Sequence, residues 1–171
     1  MKDLADKIKE SEKQISDLQT LWQQTTKPLI LKELEKIKTE LGLDIYISIN
    51  DSTINHESIY ISFGHKPSGL SYKKDDFFNL QEGRSGFILK NGANLFYSIG
   101  YRGEVTVWMQ YPSIDNVIWK ENDYNEIRKV KQSDINETTV RKDVEHFLDQ
   151  VIKWNSGEVG TEKIGFKISH S

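Results

Sequence analysis

The sequence predicts an α+β fold: an N-terminal helical hairpin, an antiparallel sheet of about six strands, and a long C-terminal helix packed on that sheet, with a late edge strand after it. Three observations carry this. Leu4, Ile8, Ser11, Ile15, Leu18, Trp22, Thr25 and Leu29 follow one another at alternating steps of four and three, a continuous helical stripe. From Asp44 the apolar period changes to two, and it returns to helical spacing only at Val140, Val144, Phe147, Leu148 and Val151. Helices and strands gathered in separate blocks indicate an antiparallel sheet with the terminal helices on one face.

Taken in order, the first helix is expected over Asp3 to Gln24. Its outer face mixes both signs, with Asp3 and Lys7 four apart and Glu10 and Lys13 three apart, the pattern of a solvated surface. Thr25-Thr26-Lys27-Pro28 reads as a break, with Thr26 able to cap and Pro28 tolerated in a first turn. A second helix then carries Ile30, Leu34, Ile37 and Leu41 on one face and stops at Gly42. Two apolar stripes with a short connection predict an αα-hairpin over residues 1–42, the alternative being one helix kinked at Pro28. Residues 43–171 follow as sheet and C-terminal helix, continuous with the hairpin as one domain.

Ile45, Ile47 and Ile49 alternate with Tyr46 and Ser48, and Ile59, Ile61 and Phe63 with Tyr60 and Ser62, a hairpin across a polar loop. Asn91-Gly92 between Phe87–Lys90 and Asn94–Ile99 is the strongest local hairpin signal in the chain. Val105, Val107 and Met109 oppose Thr106 and Trp108 in a further strand that Pro112 ends; Val117–Lys120 and Ile127–Lys131 are weaker strand candidates. The last helix is expected from Glu137 to near Gly157, and Ile164, Phe166 and Ile168 alternate beyond it, as a late edge strand or as a tail that orders only on a partner.

Composition removes several chemistries. With 171 residues the chain buries roughly 70% of its unfolded surface, enough for a core without metal or cross-links. Cysteine is absent, which excludes disulfides, thiolate metal sites and cysteine nucleophiles. The charged start lacks the apolar region of a signal peptide, and no apolar run is long enough to span a bilayer, so a cytoplasmic protein without membrane contact is expected. The net charge of −3 disfavours nucleic acid as the main partner.

No catalytic set stands out, and no cofactor or metal ligand set is expected. His56, His65, His146 and His170 lack the i+3 or i+4 spacing of a metal pair. Asp143 and Asp149 flank His146 on a helix, but no nucleophile accompanies them, so His146 reads as a surface side chain. Gly83-Arg84-Ser85-Gly86 and Gly100-Tyr101-Arg102-Gly103 precede strands rather than helices and are turns, not phosphate loops. Asp115 with Glu126-Ile127-Arg128 approximates the carboxylates and base of a metal-dependent nuclease, with arginine in the lysine position.

Residues 65–103 hold six basic against three acidic side chains. There Lys73, Lys74, Arg84, Tyr97, Tyr101 and Arg102 form a weak candidate surface for single-stranded nucleic acid. Tyr46, Tyr60, Tyr97, Trp108 and Trp119 could instead line an apolar ligand cavity under the C-terminal helix. The leading expectation is a non-enzymatic protein–protein interaction module. Its interface is Leu4, Ile8, Ile15, Leu18 and Trp22, meeting either a protein partner or a second copy.

Overall fold

The computed structural model describes residues 1–52, 57–71, 87–114 and 124–159. Its N-terminal stripe forms one uninterrupted helical rod, not the expected hairpin. Helix α1 (Lys2–Leu21) passes through a π-type turn (Trp22–Thr26) into α2 (Lys27–Leu41), with every junction residue right-handed helical. The reason lies at Pro28. In a regular helix its ring would strike the Gln24 carbonyl and remove one backbone bond. Here the turn widens, and the Lys27 N–H reaches five residues back to the Trp22 carbonyl. Such a bulge accommodates an obstruction without breaking the helix. Thr26 therefore caps nothing; its hydroxyl donates to Gln132 Oε1 at 2.9 Å instead. The rod ends at Gly42, as expected.

Among the described residues eight strands follow: β1 (Tyr46–Asn50), β2 (Ser58–Ser62), β3 (His65–Ser71), β4 (Phe87–Asn91), β5 (Asn94–Ile99), β6 (Val105–Gln110), β7 (Ser113–Ile114) and β8 (Tyr124–Val130). They form a five-stranded sheet in the order β1-β2-β5-β6-β8 and a three-stranded sheet in the order β3-β4-β7. All described pairings are antiparallel. The β1–β2 hairpin stands as expected, with Ile49 opposite Ile59.

The Asn91-Gly92 hairpin does not form. β4 pairs with β3 and β7, whereas β5 pairs with β2 and β6. Yet the register runs unbroken from one sheet to the other: Ser62 faces Asn94 in the first and His65 faces Asn91 in the second. Asn94 opposite Gln110 likewise continues as Asn91 opposite Ser113. The small sheet is thus the far end of the large one, bent across Phe63-Gly64, Gly92-Ala93 and Tyr111-Pro112. The Phe63 N–H donates to the Ala93 carbonyl at 3.1 Å and the Gly92 N–H to the Gly64 carbonyl at 2.7 Å, carrying the pairing through the bend. A Cβ at position 92 would stand 2.6 Å from the Gly64 oxygen. Glycine is present for close backbone approach, not for a hairpin turn.

Alternation along the strands points Ile59, Ile61, Leu95, Tyr97, Ile99, Val105, Val107 and Met109 inward, all buried. Ile30, Leu34 and Ile37 of α2 and Val140, Val144 and Phe147 of α3 (Glu137–Asn155) cover that face. Each such aliphatic side chain taken from water is worth about 1.5–3 kcal/mol. Helix α3 starts at a reciprocal cap, in which Asn136 accepts the Thr139 N–H and Thr139 accepts the Asn136 N–H. The late edge strand at 164–168 and the Val117–Lys120 candidate lie outside the described residues. Among the described residues, no helix is long and apolar enough to cross a membrane.

Candidate functional site

The first half of the rod leaves the core. From Lys2 to Gln14 every residue of α1 is exposed, with Leu4 at 57% and Ile8 at 59% of full exposure. Ile15 and Leu18 are half-buried, and Trp22 is completely buried. The stripe is therefore divided: its lower part packs in cis and its upper part forms an arm. Local bonds sustain the arm as a helix. Lys7 pairs with Asp3 at 2.9 Å, and the Ser11 hydroxyl donates to the Ile8 carbonyl at 2.7 Å.

The foot of the arm is clamped by polar groups. The Gln132 amide donates to the Leu18 carbonyl at 2.8 Å and to the Gly103 carbonyl at 2.9 Å. Gln19 donates to the Tyr101 carbonyl at 3.1 Å. Lower down, Glu57 receives Lys27 Nζ at 2.7 Å, Gln23 Nε2 at 2.8 Å and the Trp22 indole N–H at 3.2 Å. Burial pushes the Glu57 carboxyl up, but these three donors outweigh it and hold it below the usual carboxylate range. Beside the foot, an open groove of about 580 Å³ runs between Glu12, Ile15, Gln19 and Tyr101. Tyr101, which helps line it, is 69% exposed.

The candidate nucleic-acid residues are not brought together. Tyr97 points inward, fully buried, and its hydroxyl donates to Asp143 Oδ2 at 3.2 Å. Burial and the Asp143 charge push that phenol well above its usual pKa, so it stays protonated. It offers no surface for stacking. Tyr101 and Arg102 are exposed at the β5–β6 turn, while Lys73, Lys74 and Arg84 lie outside the described residues.

The opposite face of the sheet carries an aromatic row: Tyr60, Phe96, Trp108 and Tyr124. Phe96 and Trp108 stack at 3.8 Å between centroids, Tyr60 tilts against Phe96 at 5.3 Å, and Tyr124 meets Trp108 edge-on at 5.0 Å. The rings spend their faces on one another, and the Trp108 indole N–H donates to Ser98 Oγ. Such a ladder of cross-strand rings stabilises the sheet.

The nuclease constellation is split. A bulge in β8 pairs Val107 with Arg128 but Trp108 with Glu126. Simple alternation would put Glu126 and Arg128 on one face; the extra residue turns them to opposite faces. Glu126 is exposed, while Arg128 donates to both Asp143 oxygens at 2.8 and 2.7 Å. Asp115 lies outside the described residues. His146 is exposed, and the carboxylates on either side of it are engaged elsewhere, Asp143 by Arg128 and Tyr97 and Asp149 by Lys153.

The apolar cavity is not assembled from the expected residues either. Tyr60 and Trp108 belong to the outer row, and Tyr97 is packed in the core; Trp119 lies outside the described residues. The pocket at the end of α3, lined by Phe63, Lys66, Lys90, Val151 and Asn155, holds about 210 Å³. Ligand sites usually hold about 300–1,000 Å³. No group of metal-ligating side chains occurs among the described residues.

Two carboxylates are buried against expectation: Glu33, which the sequence did not mark, and Asp143, which read only as a neighbour of the surface His146. Asp143 interrupts the apolar face of α3 between Val140 and Val144. Glu33 does the same in α2 beside Leu34, where Arg141 Nε at 2.6 Å and Lys36 Nζ at 2.9 Å neutralise it. An acid inside an apolar stripe was the available signal. Both tie helices to their neighbours, and neither lines the groove beside α1 or the pocket at the end of α3. A scan against protein-family models and searches of curated proteins and of solved structures return no match to this chain.

Proposed function

We propose that this protein is a non-enzymatic interaction module that self-associates through the arm of α1. The observation that carries the reading is the exposure of Leu4 and Ile8 on a helix anchored at its far end by a buried tryptophan. Covering each of those side chains is worth roughly 1.5–3 kcal/mol, and nothing in the arm's own chain covers them among the described residues. A helix with one apolar edge and mixed charge elsewhere is the form in which a coiled-coil strand meets its partner.

Size-exclusion chromatography with light scattering on the full chain tests this. The wild type is expected to dimerise at tens of micromolar. Ile8→Asp is expected to be monomeric with the fold intact by circular dichroism, because Ile8 is exposed and lies outside the core, and to lose the concentration-dependent part of the wild type's thermal stability. A wild-type monomer at those concentrations removes the proposal.

A further inference from the structure

We infer that two copies of this chain pair their arms antiparallel, with Leu4 of each seated on the partner's Ile15 beside the Tyr101 groove. The inference rests on the self-association proposed above and adds orientation, register and a second contact surface to it.

Orientation follows from what covers the stripe in cis. From Leu18 downward the same edge of the rod is occupied by its own body: Gly103 and Gln132 at Leu18, then the core at Trp22, Ile30 and Leu34. A parallel partner would carry its residues beyond 18 along that edge, into space that the sheet and α3 already fill. An antiparallel partner runs away from the body, and the two bodies lie at opposite ends of the pair. Isoleucine at positions 8 and 15 with leucine at 4 and 18 favours parallel pairing in a free coiled coil. Parallel arms would also bring Lys7 toward the partner's Glu12, but an exposed ion pair is worth little. Steric exclusion by a packed core decides against both preferences.

Register follows from charge. Antiparallel seams match heptad position a with d, so Ile8 can face the partner's Ser11 while Leu4 faces the partner's Ile15. The flanks then place Ala5 opposite the partner's Glu12 and Lys7 opposite the partner's Gln14, without repulsion. A shift of one heptad either way sets Lys7 against the partner's Lys7, or Glu12 against the partner's Glu12. Both alternatives oppose like charges.

Two further features suit this register. Ser11 is the one polar seam residue, and its hydroxyl already donates to the Ile8 carbonyl, so covering it orphans no donor. The partner's Leu4 also arrives at the mouth of the groove that Ile15 and Tyr101 line. A seam of about two heptads is short beside the roughly 1,200 Å² of a standard interface, and the exposed Tyr101 ring supplies added cover where the arm's tip lands.

The absence of native cysteine makes the test direct. Full-length Leu4→Cys and Ile15→Cys chains are mixed, oxidised and mapped by mass spectrometry of the linked peptides. The expected product joins position 4 to position 15, at least tenfold over links of 4 to 4 or 15 to 15. Dominant 4-to-4 and 15-to-15 links would overturn the antiparallel arrangement while leaving self-association intact; a wild-type monomer in solution would overturn both. Ala5→Lys gives an independent reading with no cysteine in the seam. Facing the partner's Glu12 at two symmetric places in the dimer, it is expected to tighten association about twofold or more at low salt, and a weakened association, the mark of position 5 facing the partner's position 5, would overturn the register.

Discussion

The backbone of Gly103 lies against Leu18 so closely that a Cβ at position 103 would stand 2.4 Å from the Leu18 Cβ. Gly103 also holds φ at +82°, and the Gln132 amide bridges its carbonyl to that of Leu18. A turn between two strands of the sheet thus grips the rod where it changes from core helix to free arm. That grip fixes the direction in which the arm leaves the body, so the site depends on a residue far from it in sequence.

Gly103→Ala is therefore expected to destabilise the fold by about 2 kcal/mol or more, since it combines a left-handed backbone with a clash. Urea denaturation measures the loss. A change within about 0.5 kcal/mol, the range of an indifferent surface substitution, would show that the contact relaxes freely.

The bend in the sheet makes a parallel prediction for Gly92. Its Cβ would press on the Gly64 carbonyl and on Phe63, both part of the strand alongside, so the pairing between β2–β3 and β4–β5 must open. Gly92→Ala is expected to cost about 1–3 kcal/mol. Hydrogen exchange should locate the loss at the Gly92 and Phe63 amides, and unaltered protection there would contradict it.

Asp143 sits 4% exposed between Arg128 and Tyr97. Asp143→Ala is expected to cost about 3 kcal/mol, because it leaves a half-buried guanidinium without its counter-charge. Replacing both partners, as Arg128→Met with Asp143→Leu, should recover most of that. A double-mutant cycle with coupling near zero would mean the pair contributes independently of each other.

Glu57 predicts an acid dependence. Its folded pKa lies below the ordinary value of about 4.3, so its contribution is fully present above that pH and disappears as pH falls through the depressed folded value. Thermal melts of wild type between about pH 2 and 6 should show a steeper acid loss than Glu57→Gln, which cannot titrate. Superimposable profiles would assign the acid limb to other carboxylates.

Period and composition were enough for the secondary-structure plan. The α+β class, the inward set Val105, Val107 and Met109, the β1–β2 hairpin, and α3 beginning at Glu137 all follow from local spacing. Each is decided within a few residues, where the chain's own alternation picks the face that leaves water. The helical character of the α1 stripe was equally legible.

What spacing could not decide is where non-local contacts override a local signal. Thr25-Thr26-Lys27-Pro28 reads as a break, but burial of Trp22 and Thr26 on both sides of it keeps the rod continuous through a widened turn. Asn91-Gly92 reads as a hairpin, but Gly64 approaches from a strand some thirty residues earlier and turns it into a bend. The bulge at Ile127 separates Glu126 from Arg128, and only the partner strand β6 makes that bulge visible. The division of the heptad stripe at Leu18 belongs here too. One edge of one helix has a uniform pattern, and its fate changes because a glycine turn and a glutamine from distant segments happen to reach half of it.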